Sequence, residues 1–144
     1  MAFDTWESYF YPPPDEGTLR NLFDERDPVV LTRLEYVETA RRQRELLAGQ
    51  VAIPKTYDAA HMRAIHRHLF QDLYEWAGRT RTVDIRKPGG QPFLPASRIE
   101  VGTRFVFDEL RADNHLRSMN RPKCIERLAH HYDALNTGGS ALSE

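Results

Sequence analysis

Histidine is the residue type best suited to acid–base chemistry or metal binding, and three of the six histidines in this 144-residue sequence lie close together. His61, His66 and His68 fall in a segment whose apolar spacing predicts a helix from about Ala59 to Trp76. Two imidazoles on one helix share a face, and a metal ion, when they are three or four residues apart. These histidines are five and two residues apart, so we predict no metal site among them.

A second histidine pair, His130 and His131, lies near the end of the sequence, with Asp133 three residues after His130. One helical face would bring His130 and Asp133 within hydrogen-bonding distance. A catalytic dyad also needs a nucleophile, and none is apparent nearby. Cys124 is the single cysteine, which excludes an internal disulfide and a cysteine-based metal site. These residues therefore identify neither a catalytic group nor a metal ligand.

The segment from Arg81 to Ala96 carries the strong β signal of the sequence. Thr82-Val-Asp-Ile85 alternates polar and apolar residues, and Lys87-Pro-Gly-Gly-Gln-Pro92 is typical of a turn. A hairpin on a helical body exposes a strand edge that can pair with an extended peptide. A surface excursion without function is the alternative, and these residues leave both interpretations open.

Four amphipathic segments predict the helices that support this hairpin, at about 28–47, 59–76, 97–110 and 120–136. Asp27 and a Ser97-x-x-Glu100 capping box begin the first and third. The apolar residues expected to face the core are Leu31, Leu34, Val37, Ala40 and Leu47 in the first helix, Ile99, Val101, Phe105, Val106 and Leu110 in the third, and Ile125, Leu128, Ala129, Tyr132 and Leu135 in the last. The predicted fold is an all-α, mainly helical bundle with one β-hairpin, preceded by an irregular arm at 1–27 that packs onto it through aromatic residues.

Composition is that of a soluble globular domain, with 40% hydrophobic and 28% charged residues. A net charge of −1, with acidic and basic residues interspersed, predicts neither a nucleic-acid nor a membrane partner. No apolar run approaches the ~20 residues of a membrane span, and the N-terminus lacks the pattern of a secretory signal. Together with the single cysteine, these features predict a cytoplasmic location.

The stretch from Ala64 to Ile85 resembles the Fic (Fido) family, whose bacterial protein adenylyltransferases transfer AMP from ATP to a protein hydroxyl group. The resemblance depends mainly on Trp76-Ala-Gly78, where Gly78 is expected to be left-handed, and on Arg81-Thr-Val83. Over about 8–137 the sequence is similar to the family, which implies the family's helical fold. It also implies that the hairpin is the flap, which in the family lies over the active site and pairs with the target segment.

The resemblance further implies a catalytic loop after the last helix, with the pattern His-x-Phe-x-(Asp/Glu)-Gly-Asn-Gly-(Asn/Lys)-Arg. In the family its histidine is the general base, its backbone binds phosphate, its acidic residue holds Mg²⁺ and its arginine offsets developing charge. This sequence follows the family to Thr137 and then reads Gly-Gly-Ser-Ala-Leu-Ser-Glu. We therefore expect an incomplete Fic-like domain at 1–137, with its flap at 81–97, followed by a non-matching tail at 138–144.

The function that the resemblance implies is AMP transfer to a Tyr, Thr or Ser hydroxyl, with no catalytic residue in this chain and negligible activity by the chain alone. The predicted nucleotide- or target-binding residues are Val83, Asp84, Ile85, Arg86 and Lys87. Arg86 and Lys87 are expected to face the ligand, and solvated cations at a turn are the alternative. ATP and Mg²⁺ are the cofactors of the complete family, and this chain is expected to bind neither productively. The implied partners are a target protein at the flap and an inhibitory antitoxin-type protein, and a translocated effector stays compatible with the sequence.

A non-catalytic binding module is the alternative function. The flap would then dock a peptide, or the open end of the helical bundle would pair with a partner helix. A missing terminal helix would leave Ile125, Leu128, Tyr132 and Leu135 partly uncovered, and exposed apolar patches of this kind favour association.

Overall fold

Four α-helices form the framework of the computed structural model, which describes residues 3–86 and 88–137. They are α1 (Pro28–Leu47), α2 (Ala59–Phe70), α3 (Ile99–Ala112) and α4 (Arg121–Thr137), with short 3₁₀ helices at Glu7–Tyr9, Ala96–Arg98 and Asn114–Leu116. The prediction of a mainly helical fold is confirmed. Lys87 and the tail at 138–144 lie outside the described residues.

The chain folds as two units. The first unit comprises the residues up to Thr56 together with His61–Arg79, and the second comprises Tyr57–Ala60 and the residues from Thr80 onward. The first unit therefore holds α1 and most of α2, and the second holds α3 and α4. Across residues 3–86 and 88–137, no helix combines the length and apolar character needed to cross a membrane.

Aromatic residues from the N-terminal arm and from the turns after α2 form the core of the first unit. Tyr9 and Trp76 are buried with their ring centroids 5.0 Å apart, and Tyr74 stacks on Trp76 at 4.9 Å. Leu73 is fully buried, and its carbonyl accepts a hydrogen bond of 2.8 Å from the Leu22 N–H. The expected packing of the aromatic arm is confirmed within this unit.

Helix α1 begins as predicted but presents a different face to its surroundings. Asp27 caps it by accepting from the Val29 and Val30 N–H groups, and Leu31 is buried. Val37 and Leu47 are 57% and 80% exposed, so the predicted stripe is wrong at both positions. The physical reason is an ion pair, because the Arg42 guanidinium binds both oxygens of Asp72 at 2.6 and 2.8 Å and directs this face of α1 toward the turn after α2.

Helix α2 ends at Phe70, six residues before the predicted Trp76. The Leu73 and Tyr74 N–H groups both donate to the Phe70 carbonyl, and this turn directs the following side chains into the aromatic core. Gly78 has the predicted left-handed conformation, with φ of +76°. Its N–H donates to His66 Nδ1 at 2.9 Å, which returns the chain to the side of α2.

In the second unit, α3 begins without the predicted capping box. Ser97 lies inside the 3₁₀ helix Ala96–Arg98, and no side chain caps the start of α3. The 3₁₀ turn satisfies this end of the helix instead, because the Ile99 N–H donates to the Ala96 carbonyl. Ile99 and Val106 are buried as predicted, whereas Val101 and Phe105 are each 63% exposed.

Helix α4 packs against α3 through a polar face. His131 is buried, and both His131 and Arg127 contact Asp113, which follows α3 directly. The predicted inward stripe is therefore wrong at the exposed residues Ile125, Leu128, Ala129 and Tyr132, and Leu135 is half-buried. The ion pairs with Asp113 explain this orientation, because they direct the opposite face of α4 toward α3.

The flap segment returns on itself but forms no continuous strand within 80–86 and 88–97. An isolated antiparallel bridge joins Arg86 and Pro92, and the Phe93 N–H donates to the Ile85 carbonyl at 3.1 Å. A regular β-hairpin is thus not confirmed. Pro88, Pro92 and Pro95 explain the short pairing, because proline has no N–H to donate to a ladder.

We predict that Gly78→Ala destabilises the first unit far more than Gly49→Ala. Both glycines have positive φ, but a Cβ at Gly78 would lie 2.5 Å from Arg67 Cβ and 2.8 Å from the Arg63 carbonyl oxygen, whereas a Cβ at Gly49 has open space. Backbone strain costs about 1 kcal/mol for Gly49→Ala, and the added clash raises the loss to about 3 kcal/mol for Gly78→Ala. Urea unfolding measures both, and equal losses would contradict the packing of Gly78 on α2.

We also predict that stability falls below about pH 6.5 because of His66. Burial lowers the pKa of His66 from its ordinary value of 6.5, and its Nδ1 must stay unprotonated to accept the Gly78 N–H. The unfolded chain therefore binds the proton more readily, so this contribution is complete above pH 6.5 and is lost as pH falls, at no more than about 1.4 kcal/mol per pH unit. In His66→Asn an amide oxygen can replace the acceptor without titrating. Between pH 7.5 and pH 5.5 the free energy of unfolding should fall more in the parent protein than in His66→Asn. An equal fall in the two proteins would refute the role of His66.

Candidate functional site

The buried side chain of Arg81 anchors the flap in the second unit. It is 2% exposed, and its Nη1 donates to the Val83 carbonyl at 2.7 Å while its Nη2 donates to the Leu94 carbonyl. One guanidinium therefore joins the outgoing and returning parts of the segment. A buried cation is retained in a fold only where polar partners satisfy it, and these carbonyls supply them.

Asp84 adds a second anchor closer to α3. Its carboxylate oxygen accepts a hydrogen bond of 2.7 Å from the Ala96 N–H. With the hydrogen bond from Phe93 to Ile85, the segment is held at several points along its length. The anchoring contacts come from side chains more than from a strand ladder, which fits a segment rich in proline and glycine.

The structure places the predicted site residues in different roles. Val83 is buried, Ile85 is half-buried, and the Asp84 carboxylate is engaged inside the segment. Arg86 is exposed, and within residues 3–86 and 88–137 its guanidinium has no ion pair or side-chain hydrogen bond. Lys87 lies outside the described residues. Arg86 is therefore the predicted residue whose charge is available to a ligand.

Sequence reasoning missed Arg81 as the anchor of the site. A signal was present, because alternation puts residue 81 on the same face as Val83 and Ile85, the inner face of the segment. An arginine on that face must find buried acceptors, and the backbone carbonyls of a closed loop are the nearest source.

Asp113 organises a second polar cluster in this unit, which was also missed. Arg127 Nε lies 2.6 Å and His131 Nε2 lies 2.8 Å from Asp113 Oδ2. The adjacent Arg127 guanidinium, with a smaller contribution from His131, holds the pKa of the Asp113 carboxyl below its usual range. His130, on the exposed side of α4, has its Nε2 3.5 Å from Glu109 Oε2.

The chemistry available in the flap is recognition more than bond making. An exposed arginine offers planar donors suited to a phosphate or a carboxylate. Residues 81–97 contain no histidine, cysteine or glutamate, so the segment carries few groups able to move a proton. Arg86 thus offers donors of the kind that a phosphate or a carboxylate accepts, and a reaction would depend on groups from elsewhere.

We predict that Arg81→Met loosens the flap while the matched change Arg86→Met does not. Removing Arg81 leaves two carbonyls without their charged donor, which costs about 2–4 kcal/mol, whereas an exposed arginine without a partner costs within about 0.5 kcal/mol. Urea unfolding of both variants tests this difference. A loss for Arg81→Met as small as that for Arg86→Met would show that the anchor is not needed.

Proteins similar to this chain are named as protein adenylyltransferases or as Fic domains. The chain is 34% identical over 130 residues to "Probable protein adenylyltransferase Fic" of Escherichia coli K12, covering 90% of this chain and 62% of that protein. It is 34% identical over 126 residues to "Protein adenylyltransferase VbhT" of Bartonella schoenbuchensis, covering 88% of this chain and 26% of that protein. The chain thus spans less than two thirds of the length of either relative.

A solved structure agrees with these relatives. The N-terminal Fic domain of a VirB-translocated Bep effector protein from Bartonella quintana, which contains bound ADP, superposes with a TM-score of 0.74 at 26% identity. The match covers 95% of this chain and 71% of that one. No protein-family model matches the sequence. From the agreement of sequence relatives and fold, the chain belongs to the Fic family.

Proposed function

We propose that the chain serves in protein adenylylation, the transfer of AMP from ATP to a Tyr, Thr or Ser hydroxyl of a target protein. The observation that carries this proposal is the 34% identity, over 90% of the chain, to a relative named as an adenylyltransferase. A cytoplasmic site of action fits the need for ATP. The names of the relatives favour this function over a module that only binds. An antitoxin-type partner is an expectation from the resemblance alone.

The proposed role of the flap is to position the target. An extended target segment adds beside it through backbone hydrogen bonds, a mode that works best on a rigid edge. The contacts of Arg81 and Asp84 support this role, because a segment already held in place loses less conformational entropy on binding. Arg86 then contacts the nucleotide phosphates or an acidic group of the target.

The described residues do not by themselves fit a complete ATP–Mg²⁺ site. Arg86 suits a phosphate, but Asp84, an oxygen ligand of the kind that Mg²⁺ prefers, is hydrogen-bonded to the Ala96 N–H. The 144 residues also contain no Gly-Asn-Gly sequence of the kind the family resemblance calls for. We therefore propose that transfer requires loop residues beyond these, and that this polypeptide alone does not catalyse it. A missing general base already costs about 10²–10⁴ in rate.

A labelling experiment tests this proposal directly. The purified 144-residue polypeptide, incubated with ATP labelled in the α-phosphate and a cell lysate, should label no protein. A chimaera in which the part of the Escherichia coli relative that follows the matched region is joined after Thr137 should label a target. Changing the histidine of the appended loop to alanine should abolish the label.

The contribution of the flap is tested in the same chimaera. Arg86→Ala should lower labelling about tenfold, because a charge-assisted hydrogen bond of about 1.5 kcal/mol is lost. Arg104→Ala, an exposed arginine of α3 that pairs with Glu100, is the matched control and should leave labelling unchanged. Strong labelling by the 144 residues alone contradicts the need for the loop, and a folded chimaera without activity contradicts the proposed function.

A further inference from the structure

Three potential ligand residues meet where the end of α3 lies beside α4. Glu109, His130 and His131 each offer a ligand atom, and these atoms all lie within 4.8 Å of one another. Glu109 belongs to the last turn of α3, and the two histidines are adjacent residues of α4. Adjacent positions on a helix do not normally share a face, but here the two imidazole rings meet edge to face with their centroids 5.3 Å apart. The cluster lies entirely within the second unit and is separate from the flap residues that carry the proposed function.

The buried histidine of the cluster has an unused ring nitrogen. His131 is 5% exposed, and its Nε2 lies 2.8 Å from Asp113 Oδ2. Its Nδ1 is buried and has no hydrogen-bond partner in the part of the chain that the structure describes. Donation from Nε2–H to the Asp113 carboxylate leaves a lone pair on Nδ1, and a buried acceptor without a partner is unfavourable.

A carboxylate that holds one nitrogen of a histidine while the other binds a metal ion is a recurrent arrangement in metal sites. Asp113 has this relation to His131, and the same carboxylate oxygen also contacts Arg127. Coordination through Nδ1 would satisfy the buried nitrogen. A bound metal ion would therefore account both for the unpaired Nδ1 of His131 and for the contact of its Nε2 with Asp113.

The donor set favours Zn²⁺. Two imidazoles and one carboxylate suit zinc, whereas Mg²⁺ and Ca²⁺ prefer oxygen ligands alone. The side chains of Glu109 and His130 are 36% and 46% exposed, so an ion can enter and water can take the fourth position. Zinc–nitrogen bonds of about 2.0 Å place tetrahedral ligands about 3.3 Å apart, and the exposed side chains can rotate inward to reach this distance.

We propose that Glu109, His130 and His131 bind one Zn²⁺ ion, with Asp113 as the positioning residue of His131. The ion would cross-link α3 to α4 within the second unit. This proposal is independent of the proposed function, because it uses no residue of the flap.

Zinc titration of the 144-residue polypeptide tests the proposal. Isothermal calorimetry with ZnCl₂ should show one site with micromolar or tighter affinity, and MgCl₂ should show no saturable binding. Co²⁺ in place of Zn²⁺ should give the visible absorption of a tetrahedral site. Glu109→Gln, at a partly exposed position, should weaken Zn²⁺ binding at least about tenfold, since it removes an ionised ligand. Glu126→Gln on α4 is the matched carboxylate control and should bind as the parent does.

A second pair of variants separates positioning from stability. Asp113→Asn should weaken Zn²⁺ binding about 10–100-fold, as expected for a lost oriented partner. Arg127→Met breaks the other contact of Asp113 but keeps its bond to His131, so the affinity should change less than about threefold. Absence of saturable Zn²⁺ binding, equal affinity in Glu109→Gln, or equal losses for Asp113→Asn and Arg127→Met would each overturn the proposal.

Discussion

The buried guanidinium of Arg81 is the contact on which the candidate site depends. It donates to the carbonyls of Val83 and Leu94, which are eleven residues apart, and it takes the place of the strand ladder that the prolines of this segment prevent. Asp84 also holds the segment through a side chain, because its carboxylate accepts a hydrogen bond from the Ala96 N–H just before α3. The flap is therefore shaped by two charged side chains, and the Arg86 side chain is exposed beside them.

A similar rule governs the packing of α3 and α4. Asp113 holds Arg127 and His131, so the polar face of α4 lies inward and an apolar face lies outward. Burial of charged groups is tolerated because each has a partner at hydrogen-bonding distance. In the flap the Arg81 guanidinium fixes the path of the chain, and between α3 and α4 the Asp113 carboxylate fixes which face of α4 lies inward. Apolar packing alone would favour a different arrangement.

Local signals predicted much of the fold, and long-range pairs explain the errors. Asp27 caps α1 as its sequence position indicates, and the left-handed Gly78 follows from its place after Trp76. The predicted end of α2 was wrong because Leu73 and Trp76, which are buried in the turns after the helix, continue its apolar spacing. The prediction of which face of α4 lies inward was wrong because Asp113 lies 14 and 18 residues before its partners Arg127 and His131. Contacts over such separations leave no trace in the spacing of apolar residues along one helix. The alternation of polar and apolar residues located the flap. The only sequence signal for its anchor was that this alternation puts Arg81 on the inner face of the segment.

Amide hydrogen exchange at the flap tests most directly whether it is a preformed platform. The Phe93 and Ala96 N–H groups are hydrogen-bonded to Ile85 and Asp84, whereas Gly90 lies at the exposed turn. We predict that Phe93 and Ala96 exchange at least about tenfold more slowly than their unstructured rates, corresponding to about 1.4 kcal/mol of local stability, while Gly90 exchanges at nearly its unstructured rate. Unprotected exchange at Phe93 and Ala96 in the folded protein would contradict the account.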